Sequence, residues 1–123
     1  MRSPDFEKHS LIPVIIQDYS TLKVLMMAYM NQEAYGLTLR DGEVWFFSRS
    51  RNRLWKKGET SGHIQKVRKT FFDCDEDTLL IQVEQIGGAA CHEGYVSCFY
   101  RKLTNKDLEI VEPRIFDPQK VYK

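Results

Sequence analysis

The sequence lacks the features that mark membrane-spanning, secreted or disulfide-linked proteins. Its 123 residues contain no apolar run of about 18 residues, the length that a membrane helix needs. The first ten residues include no hydrophobic core of the kind that a signal peptide carries. Only three cysteines occur, an odd number, and all of them follow residue 73, which fits a disulfide framework poorly. We therefore expect a cytoplasmic protein with reduced thiols and no membrane partner.

A large excess of either charge is also missing. The chain has 18 Lys+Arg and 17 Asp+Glu, a formal net charge of +1, which argues against a general polyanion-binding protein. The balance conceals two opposite blocks, however. Residues 49–69 contain eight basic side chains and one acidic one, whereas residues 73–100 contain six acidic side chains and no lysine or arginine. Blocks of this kind indicate either local binding chemistry or a solvated surface.

The hydrophobic content, 42% with 12% aromatic residues, predicts one domain over residues 1–123 without repeats or linkers. Apolar runs and alternating patterns predict strands at residues 11–16, 23–30, 43–48, 65–72, 78–84 and 97–103. Asn31 is a favourable N-cap for a short helix over residues 31–40, and residues 73–77 predict a turn. We predict an α+β, predominantly β fold, a single compact domain of mixed or antiparallel strands with one or two short helices. The motif-bearing core spans about residues 11–101, and residues 102–123 form a C-terminal extension, either a peripheral strand or partly ordered.

The densest chemical motif is Asp73-Cys74-Asp75-Glu76-Asp77. In an extended segment alternate side chains share a face, so the three aspartates would point together and Cys74 would point away. Three carboxylates on one face repel one another unless a cation lies between them, and all-oxygen ligands suit Mg²⁺. An exposed acidic turn without a metal is the alternative interpretation.

The three cysteines form a second candidate site. Cys91 and Cys98 can meet Cys74 either across a strand hairpin or across a subunit boundary. Three thiolates with one open position make a zinc site that activates water. The sequence contains no C-x₂-C pair of the zinc-finger type, so buried structural thiols are the alternative. His92 directly follows Cys91 and is the histidine best placed to act as a general base.

A basic segment, residues 48–62, forms the third candidate site. Its loop from residue 57 to residue 62 combines two glycines with two hydroxyl side chains, and such a loop can present backbone amides to an anion. Arginines at positions 49, 51 and 53 can add bidentate contacts to phosphates, and Trp45 and Trp55 can stack on a base. The residue order is not that of a P-loop. A solvated basic strand and a surface for single-stranded nucleic acid are the alternatives.

Four motifs follow one another in a specific order along the chain. They are Ser48-Arg-Ser-Arg51, then Leu54-Trp55-x-Lys57-Gly58-Glu59-Thr60-Ser61-Gly62, then Asp73-Cys74-Asp75-x-Asp77, and finally Cys91-His92-x-Gly94-x-x-Ser97-Cys98-Phe99. Each motif alone is weak. Together they resemble the phosphoribosyl-AMP cyclohydrolase family of histidine biosynthesis, over about residues 11–101.

The resemblance implies hydrolytic opening of the adenine ring of N1-(5-phosphoribosyl)-AMP at the N1–C6 bond, which gives a formimino-carboxamide ribotide. It also implies an intertwined homodimer whose zinc site is shared between subunits, with Cys74 from the opposite subunit joining Cys91 and Cys98. By the same resemblance Asp73, Asp75 and Asp77 bind Mg²⁺, and His92 is the general base. The implied substrate-binding residues are Trp45, Ser48, Arg49, Ser50, Arg51, Trp55, Lys57, Gly58, Glu59, Thr60, Ser61 and Gly62. We expect the monofunctional form, because the residues after Arg101 are too few for a fused pyrophosphohydrolase domain.

Two functions of other classes stay open beside this one. The basic segment suits a nucleic-acid-binding module with structural cysteines, and the thiols suit a structural zinc protein with a closed site. The acidic block disfavours the first, because it repels a polynucleotide unless metals neutralise it. We therefore expect a small nucleotide as the partner and no nucleic acid.

Overall fold

The first and the sixth strand of the chain lie side by side at the centre of the fold, because alternate residues of both are apolar and buried. A computed structural model describes residues 2–121. The elements in chain order are β1 (Ile12–Asp18), β2 (Val24–Met30), α1 (Gln32–Asp41), β3 (Trp45–Ser48), β4 (Arg53–Lys56), β5 (Gln65–Phe72), β6 (Leu79–Gln85), β7 (Arg101–Leu103), β8 (Leu108–Ile110) and α2 (Pro118–Val121). Neither helix has the length and apolar content that a membrane crossing needs.

The main sheet has the strand order β2-β1-β6-β5. Its central pair, β1 and β6, is parallel, and the two outer pairs are antiparallel. Pro13 is tolerated in the interior strand β1 because the register with β6 begins one residue later, at Val14. Alternate residues of β1 and β6 are fully buried and form the core with Phe46 of β3.

Helix α1 packs against β2 and β3, and local sequence explains both of its ends. The Asn31 side chain accepts a hydrogen bond from the Ala34 amide at 2.8 Å, as an N-cap should. Gly42 ends the helix in the left-handed conformation, φ 69°, and its amide donates to the Thr38 carbonyl at 2.9 Å. The buried Thr38 hydroxyl then accepts from the Trp45 amide at 2.9 Å, which joins the helix to β3.

The predicted fold class is confirmed: the protein is predominantly β, with mixed and antiparallel strands and two short helices. The helix over residues 31–40 and the turn at residues 73–77 are confirmed, as are strands near each predicted position before residue 85. The strand predicted over residues 97–103 is too long, since only Arg101–Leu103 is extended and paired. Ser97 and Cys98 instead bind the backbone of β2, through Ser97 Oγ to the Val24 carbonyl at 2.8 Å and the Cys98 amide to the Leu25 carbonyl at 2.7 Å. The strand β4 lies in the basic segment, for which a basic strand was the alternative interpretation, and the C-terminal extension contains β8 and α2.

Candidate active site

The turn between β5 and β6 gathers three aspartates. The Asp73 carboxylate accepts hydrogen bonds from the Asp77 amide at 3.0 Å and the Thr78 amide at 3.2 Å. Glu76 takes a left-handed conformation, φ 61°, which closes the turn. One carboxylate oxygen each of Asp73, Asp75 and Asp77 therefore lies within 4.8 Å of the other two. The aspartates meet because the chain turns tightly, and not because an extended segment alternates its faces.

The same turn corrects the predicted direction of Cys74. Its thiol donates a hydrogen bond to Asp75 Oδ1 at 2.9 Å, so it does not point away from the carboxylates. Residues of a tight turn are not bound to the two-residue alternation of a strand, which explains the difference. The hydrogen bond to Asp75, and then the charge of that carboxylate, raise the pKa of the Cys74 thiol.

The three carboxylates fit a hard divalent cation. Two oxygens bound to one ion with bonds of about 2.1–2.4 Å are at most about 4.2–4.8 Å apart, so three oxygens within 4.8 Å of one another are close enough to bind the same ion. The hydrogen bond that its carboxyl group donates to Asp73 raises the pKa of Asp77. Desolvation raises the pKa of Asp73, but hydrogen bonds from the Asp77 and Thr78 amides outweigh it, and the net pKa is lowered. The opposed pKa shifts mean that ionisation of Asp73 disfavours ionisation of its neighbour Asp77, since two carboxylates repel each other. A bound cation would remove that repulsion.

Cys91 and Cys98 lie side by side at the other end of the candidate site. The Cys91 amide donates to the Tyr95 carbonyl at 3.2 Å, and the Gly94 amide donates to the Cys91 carbonyl at 3.0 Å, so residues 91–95 form a tight turn. The Cys98 thiol lies close enough to the Cys91 thiol for the two groups to interact electrostatically. Although Cys98 as a residue is exposed, desolvation of its thiol and the neighbouring Cys91 raise its pKa to about 11. Two adjacent sulfur ligands fit a zinc ion, which binds thiolates and displaces their protons.

Lys57 lies beside this pair of thiols. Its ammonium donates to the Ala90 carbonyl at 2.5 Å, directly before Cys91 in the chain. Burial lowers the pKa of Lys57, and the neighbouring Cys98 and Cys91 oppose that shift. Lys57, predicted to bind substrate, thus already has a backbone acceptor within the protein.

The three cysteines of one chain do not converge. Within residues 2–121, the aspartates of the β5–β6 turn are the only three His, Cys, Asp or Glu side chains with ligand atoms within 4.8 Å of one another. The hypothesis that Cys74 meets Cys91 and Cys98 across a hairpin of the same chain is therefore not realised in the single subunit. The other hypothesis, a meeting across a subunit boundary, stays a prediction.

His92 and the basic segment line the same cavity, which has a volume of about 520 Å³. The strands β3 and β4 and the loop after them form its walls, and none of its lining residues comes from the acidic turn. The lining residues are Ser48, Arg51, Arg53, Trp55, Lys56, Lys57, Gly58, Glu59, Thr60, Ser61 and His92. Gly58, φ 85°, is required in this loop, because a Cβ there would lie 2.5 Å from the backbone of His63 and Ile64. His92 Nε2 is 3.2 Å from Glu93 Oε1.

A second cavity of similar volume lies on the other side of Ser48 and Trp55. Its remaining lining residues are Ala28, Tyr29, Phe47, Arg49 and Ser50. The Arg49 guanidinium lies 4.4 Å from the centre of the Tyr29 ring, a cation–π contact. Trp45 and Gly62, both predicted to bind substrate, line neither cavity. The Trp45 indole donates instead to Asp41 at the end of α1, at 2.8 Å.

The predicted substrate-binding residues omit several that line these cavities. Lys56 belongs to the basic block, as does Arg53, which the sequence already indicated as a phosphate contact although the resemblance did not include it. Tyr29 and Phe47 lie on β2 and β3, where the sequence shows only the pattern of a strand. Their approach to Arg49 depends on how β2 packs against β3, so no local pattern marks them.

Known proteins of one family are similar to this sequence over most of its length. A family model described as phosphoribosyl-AMP cyclohydrolase matches residues 26–100. The phosphoribosyl-AMP cyclohydrolase of Nitratidesulfovibrio vulgaris strain DP4 is 58% identical over 121 residues, which cover 98% of this chain and 96% of the relative. That of Oleidesulfovibrio alaskensis is 55% identical, with 98% and 93% covered. The histidine biosynthesis bifunctional protein HisIE of Thermoanaerobacter pseudethanolicus is 53% identical over 96% of this chain and 54% of its own length. The chain therefore belongs to the phosphoribosyl-AMP cyclohydrolase family of hydrolases.

Proposed function

We propose that this protein opens the adenine ring of N1-(5-phosphoribosyl)-AMP by hydrolysis of the N1–C6 bond. In the proposal Cys74 of one subunit and Cys91 and Cys98 of the other hold zinc, and the aspartates of the β5–β6 turn hold Mg²⁺. The observation that carries the proposal is the first cavity, in which the basic segment faces His92, the neighbour of Cys91. The names of the relatives support the same reaction.

The substrate carries two phosphate groups, and the two cavities offer a cationic wall for each of them. Arg51 and Arg53 line the first cavity and Arg49 lines the second, with Trp55 shared between them. Guanidinium groups bind phosphate oxygens in a bidentate manner. The loop from residue 57 to residue 62 adds backbone amides and hydroxyls. Trp55 between the cavities is the side chain suited to stack on the purine.

The chemistry requires a water nucleophile and a proton for the leaving nitrogen. Zinc, when bound, activates water near neutral pH. In the proposal His92 accepts a proton from the attacking water, whose oxygen bonds to C6. The N1–C6 bond then breaks, and N1 receives the proton from His92. The former C6 becomes a carboxamide, whose exocyclic nitrogen takes the second proton of the water, and N1 remains in the formimino group, so atoms and protons balance. The open position of His92 at the cavity and its contact with Glu93 support this role.

A homodimer completes the proposed site, and the open face of the main sheet supports it. The register aligns Met27, Ile15, Leu80 and Phe71 in one row across all four strands. Met27 and Phe71 are 44% and 46% exposed in the single chain. An apolar row across a whole sheet is typical of a surface that another chain covers. Free thiols as metal ligands require a reducing compartment, which supports the cytoplasm as the location.

The dimer is tested by sedimentation of Phe71→Glu, with Leu39→Lys on the exposed side of α1 as its control. We expect a monomer from the first variant and an unchanged dimer from the second, because α1 lies on the opposite side of the sheet. A monomeric parent protein would contradict the proposed dimer, and a Phe71→Glu variant that sediments as a dimer would contradict the open face of the main sheet as its interface.

The function is tested by the absorbance change on opening of phosphoribosyl-AMP, with zinc content measured in the same samples. We expect one tightly bound zinc per chain, loss of activity on chelation, recovery with zinc, and loss of both in Cys91→Ser. Asp107→Asn, an exposed acid in the β7–β8 turn, is the control for Asp75→Asn in the proposed Mg²⁺ site. Full activity in Cys91→Ser would refute the zinc mechanism. No ring opening together with salt-dependent RNA affinity would favour the nucleic-acid module instead.

A further inference from the structure

Residues 112–117, here called the C-terminal strap, lie across the turn that carries Cys91 and His92. The Ile115 amide donates to the Gly94 carbonyl at 2.7 Å. Arg114 reaches the Glu93 carboxylate at 3.4 Å, and its guanidinium lies 5.6 Å from the centre of the Tyr95 ring. The strap therefore contacts three successive residues of the turn, through both backbone and side chains.

Gly94 shows how closely the strap approaches. It is buried, with φ 96°, and a Cβ at this position would collide with the carbonyl oxygen of Phe116. Only glycine leaves room for the strap backbone here. The backbone of the strap is therefore in close contact with the backbone of the turn at Gly94.

The strap is held at both of its ends by parts of the fold outside the turn. Glu112 forms an ion pair with Lys23, next to β2, and the preceding Val111 amide donates to the Tyr100 carbonyl at 2.9 Å. At the other end the Phe116 ring packs edge-on against His63 at 5.1 Å between ring centres. Because the strap is held at both ends, it can restrict the motion of the 91–95 turn that it contacts.

The turn has few internal restraints of its own. Within residues 91–95 the backbone hydrogen bonds run from the Cys91 amide to Tyr95 and from the Gly94 amide to Cys91, and the next bond outward joins the Ala90 amide to Val96. His92 is exposed, and Cys91 is followed by a glycine three residues later, so the turn depends on neighbours for its conformation. Metal ligands and general bases lose effect when the residues that orient them are removed.

We propose that the C-terminal strap is a positioning element that holds the 91–95 turn in the conformation that aims Cys91 and His92. Gly94, Arg114 and Ile115 are its positioning residues. The part of the inference that concerns zinc rests on the proposed function. The strap lies outside residues 26–100, the part that the family model matches, and it lines neither cavity.

The first test compares Gly94→Ala with Gly42→Ala in the full-length protein. Both glycines have positive φ, but a Cβ at Gly42 meets no atom within 4 Å, so only Gly94→Ala displaces the strap. We expect zinc release to a chelator to become about tenfold faster or more in Gly94→Ala, with kcat lowered and KM unchanged. Gly42→Ala should release zinc at the parent rate. Equal release rates in the two variants would overturn the inference.

The second test uses Arg114→Ala, a surface change that leaves the backbone intact, with Arg101→Ala as its control. Arg101 makes a similar contact with the Tyr100 ring, 5.6 Å away, outside the strap. In the metal-free protein we expect hydrogen exchange at the Cys91 and Gly94 amides to become about fivefold faster in Arg114→Ala only. Unchanged exchange would refute the strap. Because this measurement needs no zinc, it separates failure of the strap from failure of the proposed metal site.

Discussion

Mixing two inactive variants offers a quantitative test of the shared zinc site. Cys74→Ser and Cys91→Ser each remove one proposed ligand from both sites of a symmetric dimer, so each homodimer should be inactive. Cys91 and Cys98 lie side by side in one chain, whereas Cys74 lies apart from them in the β5–β6 turn. In a mixed dimer, one site therefore combines the intact Cys74 of one chain with the intact Cys91 and Cys98 of the other. The second site lacks two ligands.

The expected magnitude follows from this geometry and from two-fold symmetry. Random assembly of equal amounts makes half of the dimers mixed, and half of the sites in these are intact. Activity should therefore recover to about one quarter of that of the parent protein. A site formed within one chain predicts no recovery at all. The mixture of Cys91→Ser and Cys98→Ser is the matched control, because both ligands come from the same chain and every site lacks one of them.

The assay is the initial rate of ring opening after the variants are co-expressed, or unfolded together and refolded with zinc. The zinc content of the purified dimers should follow the activity. Inactivity of the Cys74→Ser and Cys91→Ser mixture, in samples shown to contain mixed dimers, would refute the shared site. Recovery in the control mixture would refute it equally, since it would require Cys91 and Cys98 to come from different chains.

Three further predictions concern stability, each measured by urea unfolding. Gly62→Ala places a Cβ where no atom lies within 4 Å and should cost about 1–2 kcal/mol for the positive φ alone. Gly58→Ala also collides with the His63 backbone and should cost about 2–5 kcal/mol; equal costs would contradict the steric argument. Thr38→Val removes the buried acceptor of the Trp45 amide and should cost about 1–3 kcal/mol, whereas a neutral result would mean that water or another group replaces it. In metal-free protein the pKa of Cys98 is raised from 9.0 to about 11, so the native chain binds more protons than the unfolded chain between these values. The contribution of Cys98 to the free energy of unfolding should therefore be largest below pH 9 and fall as the pH rises toward 11, and Cys98→Ser should remove this contribution and make the fall shallower.

Features that depend on residues a few positions apart were predictable from the sequence. The cap formed by Asn31 acts on an amide three residues away, and the glycine after Asp41 ends the helix without help from elsewhere. The alternation in residues 65–72 coincides with β5, because a strand with one buried face repeats every two residues. The acidic turn was also predictable from neighbouring residues. Its three carboxylates meet through turn geometry, however, and not on one face of an extended segment as expected.

Features that join distant segments were not predictable in this way. The strand predicted over residues 97–103 begins only at Arg101, because Ser97 and Cys98 bind the backbone of β2, more than seventy residues earlier. Trp45, which was predicted to stack on a base, instead donates a hydrogen bond to Asp41 at the end of the helix. Tyr29 enters the second cavity from a strand that carries no functional pattern. In each case the partner is chosen by packing, which the local sequence does not encode.

The sequence by itself determined the secondary structure around its caps and turns, the order of the motifs, and the family to which they belong. These depend on short-range geometry and on residue identity alone. Only the tertiary structure decided that His92 faces the basic segment, that Cys74 lies apart from the other two thiols, and that the C-terminal strap crosses Gly94. The reason is that long-range contacts depend on which surfaces the folded sheet and hairpins bring together. The balanced net charge belongs to both levels. The basic and acidic blocks are visible in the sequence, but only the folded chain pairs Lys66 with Glu84 across β5 and β6 and leaves the acidic turn outside the basic cavity.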